Sequence, residues 1–304
     1  MHRALWTVLA LAVLGGAAAL GTGFAPGRGG NSAGGDSAAG VAVDSMSASR
    51  AVEASEWTAL EPGLELAEFQ AFPGDADPKV AALRIDPARF ELRLLSASET
   101  GENRTPREWC ATFGLAAAIN ASMYQADLKS SVSLMRTRTH INNPRLSKDN
   151  SILVFGALAD TLPPVRLLDR SCDEFEEALA GYGTHVQSIR MISCRGENVW
   201  SPATKRHSTA AVGVDSLGRV LFLHARSPQA PHDLIAKLIE LPLGLERCMY
   251  TEGGPQAQLN VGEGDAAREF TGTNIAERLL GAGSREPLPL PNVIGVVRRA
   301  RREP

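Results

Sequence analysis

The sequence has few cysteines, few aromatic residues and no strong excess of either charge. Its 304 residues include four cysteines, carry a net charge of −3 and are 5% aromatic. Four cysteines are too few for a disulfide-dense small protein, and the balanced charge argues against a general nucleic-acid-binding protein. Hydrophobic residues make up 44% of the chain, which is enough for a sizeable globular core.

Several enzyme signatures are also missing. Beyond residue 56 the sequence contains no G-x-S-x-G nucleophile elbow, no H-E-x-x-H pair and no complete G-x-G-x-x-G fingerprint. Neither a C-x-x-C pair nor a His/Cys cluster with ligand spacing occurs, so the sequence does not predict a structural zinc site. The cofactor is therefore unknown from the sequence, and a divalent metal stays an open alternative.

The first residues have the composition of a secretory signal sequence. Arg3 precedes an uncharged, mainly apolar stretch at residues 5–20, and Ala17 and Ala19 form an A-x-A pattern. This stretch is shorter than the roughly 18 residues expected of a membrane-spanning helix. We expect residues 1–22 to be a signal peptide or, alternatively, an N-terminal anchor. The protein would then be exported and be periplasmic, extracellular or membrane-tethered.

Composition divides the remainder into a tether and a globular domain. Residues 23–55 are rich in glycine, serine and alanine and contain one aromatic residue, Phe24, which predicts a flexible tether. We expect the folded domain to span residues 56–300. In an oxidising compartment its cysteines would form two disulfides, and the alternative is four buried thiols: Cys110, Cys172, Cys194 and Cys248.

Hydrophobic periodicity and turn residues predict short strands and a few helices in this domain. Two strands within residues 80–95, joined by a turn at residues 86–89, predict a hairpin. Thr105, followed by proline and then by glutamate at the third helical position, predicts a helix that ends at Gly114. A buried strand should follow and end at Asn120.

The second half of the domain gives the same kind of pattern. Strands at residues 209–214 and 219–224 predict a second hairpin, and residues 231–239 predict an amphipathic helix. That helix would present Leu234, Ile235, Leu238 and Ile239 on one face. We therefore predict an α+β fold with a mixed, largely antiparallel β-sheet core and a few flanking helices.

Two predicted strands end in polar residues. The first delivers Asn120, Ser122 and Tyr124 together, and the second, at residues 247–251, delivers Glu252 just before a pair of glycines. Paired glycines let a backbone approach a ligand closely, and a carboxylate at such a point can act as a general acid or base. The alternative is a glycine turn that happens to carry a surface glutamate.

These segments, taken in order, resemble the phosphodiester glycosidase family, and in particular its bacterial, exopolysaccharide-related branch. The family's Asn-Ala-Gly-Met-Tyr/Phe motif stands here as Asn120-Ala-Ser-Met-Tyr124, and its glutamine-containing loop as Gln187-Ser-Ile-Arg-Met191. Its arginine-containing approach to a hairpin matches residues 205–214, and its Leu-Asp-Gly-Gly motif matches Thr251-Glu-Gly-Gly254. Enzymes of the N-acetylglucosamine-1-phosphodiester alpha-N-acetylglucosaminidase type belong to this family.

The resemblance implies hydrolysis of a sugar-1-phosphodiester in an envelope or extracellular glycan. Glu252 would occupy the family's acidic catalytic position, and the guanidinium of Arg206 would face the phosphate, where it can bond two oxygens. The partner would be a glycan or sugar phosphate and not a nucleic acid, with a membrane tether through the N-terminal segment as an alternative. The remaining substrate contacts implied are Asn120, Ser122, Tyr124, Gln187, Gly253 and Gly254.

The sequence departs from the family pattern at four places. Glu252 replaces an aspartate, Ser122 replaces a glycine, residues 189–190 replace Gly-Pro, and residues 255–256 replace small or hydroxyl residues. A catalytic carboxylate displaced by about 1 Å can lose on the order of 10²-fold in rate. The alternative function is therefore a non-catalytic protein that binds a glycan or phosphate on the same fold.

Three further polar residues have competing interpretations. Asp127 follows the first motif and could supply the second carboxylate that most glycoside hydrolysis needs, or could be a solvated loop residue. His207 could assist phosphate binding, but we favour a solvated loop position. Asp215 lies in a predicted hairpin turn, where aspartate is favoured by its local backbone bonds, so we do not assign it to catalysis.

Overall fold

A computed structural model describes residues 57–75, 77–273 and 286–300, all within one unit of the chain, Arg50–Pro304. The expected signal or anchor and the expected tether lie outside the described residues. Among the residues described, no helix is long and apolar enough to cross a membrane.

Strands dominate the described part of the chain. They are β1 (Thr58–Glu61), β2 (Leu64–Gln70), β3 (Lys79–Ile85), β4 (Phe90–Ser96), β5 (Ala117–Asn120), β6 (Met135–Arg136), β7 (Ile141–Asn143), β8 (Ser151–Ala157), β9 (Val165–Asp169), β10 (Tyr182–Ile192), β11 (His207–Asp215), β12 (Val220–Gln229), β13 (Leu245–Gly253), β14 (Gln258–Val261), β15 (Arg268–Thr271) and β16 (Asn292–Arg298). The α-helices are short: α1 (Ala97–Thr100), α2 (Pro106–Phe113), α3 (Phe175–Ala180) and α4 (Pro231–Glu240).

These strands form two antiparallel sheets. The larger sheet has the order β1-β2-β3-β12-β11-β13-β10-β6-β7, and β8 and β9 extend it from β10. The smaller sheet has the order β15-β14-β5-β16-β4. The predicted largely antiparallel core is confirmed, although the helices are sparser than an α+β fold implies, and the fold is mainly β.

The main hydrophobic core is built from both sheets. Phe222 and Met249 of the larger sheet share one buried cluster with Ile119 and Ile294 of the smaller sheet. A second cluster lies on the other face of the larger sheet, because side chains alternate along a strand. There α4 packs its apolar side chains against a set that includes Leu221, Leu223, Cys248 and Tyr250.

Several local predictions are confirmed. Helix α2 begins at a capping box, in which the Thr105 hydroxyl accepts from the Glu108 amide and the Glu108 carboxylate accepts from the Thr105 amide. The helix ends at Gly114, whose φ of 62° is the left-handed conformation that favours glycine. Strands β11 and β12 pair as the predicted hairpin, and the Asp215 side chain accepts backbone bonds within its turn.

The hairpin predicted within residues 80–95 is wrong. Strand β3 pairs with β2 and β12 in the larger sheet, whereas β4 pairs with β16 in the smaller one. The turn itself is present, because the Asp86 carboxylate accepts from the Ala88 amide at 2.8 Å. It carries the chain from one sheet to the other, a role that turn residues alone do not distinguish from a hairpin.

Two other expectations need correction. Leu234, Ile235 and Leu238 of α4 are buried as predicted, but Ile239 is exposed because it lies at the edge of the apolar stripe. Neither alternative for the cysteines is correct, since one disulfide joins Cys172 to Cys194 while the other two cysteines are buried thiols. Burial raises the pKa of both thiols, Cys110 and Cys248, to about 12, so they stay protonated.

Candidate active site

Glu252 lies near the end of β13, where this strand pairs irregularly with β11. Ala210 is opposite Glu252 and Ala211 is opposite Tyr250, so one extra residue of β13, Thr251, is accommodated between the two pairs. Such bulges redirect side chains and are common beside functional sites. Here Tyr250 and Glu252 flank the bulge, and the charge of Glu252 acts on the Tyr250 phenol.

The Glu252 carboxyl is half-buried and makes few bonds. One oxygen, Oε1, accepts from the Gly253 amide at 2.9 Å. Within the described part of the chain, no hydrogen bond reaches the second oxygen from another residue. Burial raises the pKa of this carboxyl to about 7, against the opposing effect of the Gly253 bond. A carboxyl that titrates near neutral pH can both take up and release a proton there.

Two tyrosines lie close enough to Glu252 for its charge to act on them. Burial and, to a smaller extent, the charge of Glu252 raise the pKa of Tyr124 to about 12. The same two causes, in the same order, raise the pKa of Tyr250. Both phenols therefore keep their protons at neutral pH and can donate hydrogen bonds. The structure thus brings Tyr124 and Glu252, from the two predicted motifs, into one site.

Glycine is required after Glu252 for two different reasons. At Gly253 a Cβ atom would collide with Tyr250 Oη and would come within 2.8 Å of His207 Nδ1. At Gly254 the φ of 67° is left-handed, and the chain there begins a short 3-10 helix, Gly254–Gln256. The predicted role of the paired glycines in shaping this loop agrees with both observations.

Asn120 joins the two motifs from the smaller sheet. Its side-chain amide donates to the Gln256 carbonyl at 2.9 Å, and its oxygen accepts from the Gln258 amide at 2.7 Å. Because Asn120 is buried and both ends of its amide are bonded to protein, it fixes the loop that follows Glu252. This geometry makes it a positioning residue.

Ser122 and Gln187 form a second connection. The Ser122 hydroxyl donates to the Gln187 carbonyl at 3.1 Å. The Gln187 side chain is fully buried, accepts from the Leu134 and Ser147 amides, and donates to the carbonyls of Ser147 and Asp149. Three of these bonds hold the segment between β7 and β8 and one holds Leu134 ahead of β6, so its polar atoms are occupied within the protein.

Arg206 lies at the exposed approach to β11. Its guanidinium donates to Gln229 Oε1 at 2.8 Å, and the Gln229 amide donates in turn to the Asp75 carboxylate. The next residue, His207, is half-buried at the start of β11 and lies against Gly253. Arg206 thus precedes the residue that contacts the glycine loop, and the side-chain bond described for it is to Gln229.

Sequence reasoning missed two residues of the site. His207 is not a solvated loop residue. Its ring lies 5.9 Å from that of Tyr250 and against the position that a Cβ atom on Gly253 would occupy. Tyr250 itself drew no attention. A signal for it existed, since Tyr250 precedes Glu252 by two positions, the spacing that places side chains on one face of a strand.

Other candidate ligands have structural roles. Asp127 is exposed and accepts from the Lys129 and Ser130 amides and from the Ser130 hydroxyl, which lowers the pKa of its carboxyl and supports the loop interpretation. In the described ranges, one group of three side chains has the spacing of metal ligands: Asp169, Cys172 and Cys194. The disulfide occupies both of those sulfurs, so the donor set does not fit a metal.

A large cavity lies away from Glu252, which is not among its lining residues. It has a volume of about 1160 Å³ and opens between β4 and β8, beside the end of β16. Its cations are paired within the protein: Arg298 bonds Glu61 and Glu263, and Arg299 lies 3.7 Å from Glu91. The size of a cavity therefore does not identify the candidate site. The Glu252 carboxyl identifies it, because its pKa is raised and its second oxygen accepts no bond from the described residues.

A family model described as phosphodiester glycosidase matches residues 113–297, more than half of the chain. The chain belongs to the phosphodiester glycosidase family. As a member of this family, it carries all the site residues predicted from its sequence, from Asn120 to Gly254, inside the matched segment. No curated protein is significantly similar to the chain in sequence.

Two solved structures are similar to this phosphodiester glycosidase family member. The catalytic domain of zebrafish N-acetylglucosamine-1-phosphodiester alpha-N-acetylglucosaminidase, auto-inhibited by its pro-peptide, matches with a TM-score of 0.57 and 10% identity over 82% of this chain and 88% of that one. A hypothetical protein from Synechocystis has a TM-score of 0.48 and 13% identity, over 81% of this chain and 61% of its own. At these identities the likeness to the zebrafish enzyme establishes the fold alone.

Proposed function

We propose that this protein hydrolyses the glycosidic side of a sugar-1-phosphodiester in a glycan, with Glu252 as the acid/base. The observation that carries this proposal is the half-buried Glu252 carboxyl, whose pKa lies near 7 and whose second oxygen is left unbonded by the described residues. Membership of the phosphodiester glycosidase family supports this reaction class. The name of the zebrafish enzyme gives an N-acetylglucosamine-1-phosphodiester as the substrate of that enzyme.

The proposed reaction needs one proton transfer at Glu252. The bond between the sugar C1 and the phosphate oxygen breaks, and the phosphomonoester leaves with the electron pair. Water adds to C1, and ionised Glu252 accepts the proton that the water loses. Tyr124 keeps its proton and can donate a hydrogen bond to the sugar, while Arg206 can bind the phosphate through guanidinium donors that Gln229 does not use.

The remaining predicted residues act through position. Asn120 fixes the loop after Glu252, and Gly253 leaves the space into which Tyr250 and His207 project. Ser122 and Gln187 hold the neighbouring strand and loop in place. None of these contacts requires a bound metal, and the residues described offer no additional carboxylate bonded to Glu252.

We also propose that the protein is exported and acts on an envelope or extracellular glycan. The composition of residues 1–22 supports export. The disulfide between Cys172 and Cys194 supports it independently, because such bonds persist mainly in oxidising compartments. A membrane tether through the N-terminal segment remains the alternative to a released protein.

A binding protein without catalysis is the second candidate. Glu252 is one methylene longer than the family's aspartate, and its carboxylate folds back onto the Gly253 amide. If that bond persists with ligand present, the carboxylate stays about 1 Å or more from the position of a shorter side chain, enough to cost roughly 10²-fold in rate.

The test is an assay of released sugar. The full chain and its Glu252→Gln variant would be incubated with the methyl diester of N-acetylglucosamine-1-phosphate, with and without divalent metal. We expect release by the parent protein and a loss of about 10²- to 10⁴-fold in the variant. Equal release by both would contradict the role of Glu252. Binding of the diester without release would favour the second candidate, and Asp127→Asn serves as the matched carboxylate control.

A further inference from the structure

A groove on the outer face of the larger sheet lies beside the candidate site. It has a volume of about 460 Å³ and is bounded by β10 and by the segments before β8 and after β10. Both apolar and polar side chains line it. They include Lys148, Asn150, Ile189, Arg190, Val199 and Trp200.

Trp200 presents a fixed ring to this groove. Its indole N–H donates to the Arg190 carbonyl at 2.6 Å, and its backbone amide donates to Asn198 Oδ1 at 3.1 Å. The side chain is half-buried, so a part of the ring faces the groove while the rest packs on the second hydrophobic cluster. An aromatic face held in place in this way offers apolar contact area at little cost in conformational entropy.

The groove also carries hydrogen-bonding groups. Arg190 bonds the Asp169 carboxylate at 2.7 Å through Nη1, but its buried Nε–H has no acceptor in the described part of the protein. Lys148 is exposed at the rim, and Asn150 lies next to it. The exposed Lys148 and the neighbouring Asn150 can bond a polar ligand oxygen, directly or through an ordered water.

Tyr250 links the groove to Glu252. The rings of Trp200 and Tyr250 are 5.8 Å apart, and Tyr250 is near enough to Glu252 for the carboxylate charge to act on its phenol. Ile189 of the groove is paired directly with Tyr250 across β10 and β13. Because Tyr250 is buried between them, a ligand that reaches both Glu252 and the face of Trp200 would pass over this side chain.

We propose that this groove binds a further sugar unit of the glycan, stacked on Trp200, when the scissile phosphodiester lies at Glu252. A pyranose has an apolar face that fits an aromatic ring and a rim of hydroxyls that fits Lys148 and Asn150. The substrate is then an oligosaccharide phosphodiester rather than a single sugar diester. This inference rests on the proposed function for its alignment with Glu252, but not for binding itself.

Binding is tested without turnover. The full-length Glu252→Gln protein would be titrated by calorimetry with chitotriose and with maltotriose, alone and with Trp200→Ala or Trp200→Phe added. We expect at least one trisaccharide to bind, about tenfold weaker binding after Trp200→Ala, and near-parent binding after Trp200→Phe. Binding of neither sugar, or equal binding by the alanine variant, would overturn the proposal.

Trp57 provides the matched control. It is also half-buried and packs on Phe69 and under Arg84, but it lies beside β1 at the opposite edge of the larger sheet. Trp57→Ala should leave trisaccharide affinity unchanged. An equal loss in both tryptophan variants would show a general effect on folding and would remove the support for a stacking site.

A second assay separates this inference from the proposed function. Release of sugar would be compared for a methyl diester and for a diester whose second alcohol is a trisaccharide. With Trp200→Ala we expect about a tenfold fall in kcat/KM for the trisaccharide diester alone. Hydrolysis of both diesters without that difference would contradict sugar binding in the groove but not the proposed hydrolysis. Trp200-dependent binding without any hydrolysis would contradict the proposed hydrolysis but not sugar binding in the groove.

Discussion

Gln187 and Glu252 are both polar residues on central strands of the same sheet, but their surroundings differ. Gln187 is fully buried, and its side-chain amide makes four bonds, three to the loop between β7 and β8 and one to Leu134 ahead of β6. Glu252 is half-buried, and within the described residues its carboxylate accepts one bond, from the Gly253 amide. The first side chain is satisfied by the protein, whereas the second keeps bonding capacity that a substrate can use.

This difference distinguishes Gln187, which holds neighbouring segments in place, from Glu252, which can exchange a proton, although both residues match family motifs. A buried polar group with every bond made stabilises the fold and gains nothing from a ligand. A carboxyl held in a partly dry environment, with its pKa raised to about 7, is destabilised when ionised and is therefore reactive toward protons. The comparison predicts opposite responses to mutation of the two residues.

The largest effect on stability is expected from Gln187→Met. The substitution keeps the volume of the side chain but leaves the Leu134 and Ser147 amides and two carbonyls without their partner. We expect the free energy of unfolding to fall by about 3 to 4 kcal/mol, since each unsatisfied buried group costs about 1–3 kcal/mol and water reaches some of them. Urea unfolding measures this, and the exposed Gln125→Met is the control. A fall of less than about 1 kcal/mol in the free energy of unfolding would contradict the stabilising role of the Gln187 bonds.

The next effect is a pH dependence of stability that belongs to Glu252. Its folded pKa, about 7, lies above the ordinary value of 4.5, so between these values the folded protein holds a proton that the unfolded chain has released. Raising the pH through this interval should therefore lower the free energy of unfolding, by on the order of 3 kcal/mol in total. Because the lowered pKa of His224, about 4, makes stability rise with pH in both proteins, Glu252 accounts for the difference in slope between the parent protein and Glu252→Gln, measured by urea unfolding at pH 5 and pH 8. Equal slopes would contradict the assignment.

The smallest effect is expected at Asp127, an acidic residue near the first motif whose bonds are made within an exposed turn. Asp127→Asn keeps one acceptor oxygen for the Lys129 and Ser130 amides. We expect a stability change below about 1 kcal/mol and unchanged release of sugar. A fall in release of 10²-fold or more would show that Asp127 acts with Glu252, and would restore it as a second carboxylate.

Local features of the fold were predictable from the sequence, and the pairing of distant strands was not. The ends of α2 follow from Thr105, Glu108 and Gly114, because caps depend on neighbouring residues alone. The turn at residues 86–89 does not indicate that it joins two sheets, since β12, the second partner of β3, and β16, the partner of β4, lie more than 100 residues away. Register of that kind depends on the whole core.

The candidate site was predictable to the same extent. Glu252, Tyr124 and the glycine pair were identified from motifs, and the structure brings them together. The bonds of Gln187 and Asn120 were not, because each partner is a backbone group of a loop distant in sequence. The pairing of β11 with β13 brings His207 and Tyr250 to the site. The register of that pairing cannot be predicted from the sequence of either strand alone.

The central claim is that the protein holds the Glu252 carboxyl near half-protonation at neutral pH. Carbon-13 NMR of side-chain-labelled glutamate, followed from pH 4 to pH 9, measures this directly, with Glu252→Gln to assign the signal. The account predicts a Glu252 resonance that titrates near pH 7, as burial of this carboxyl requires. A resonance that titrates near 4.5 with the other glutamates would contradict it.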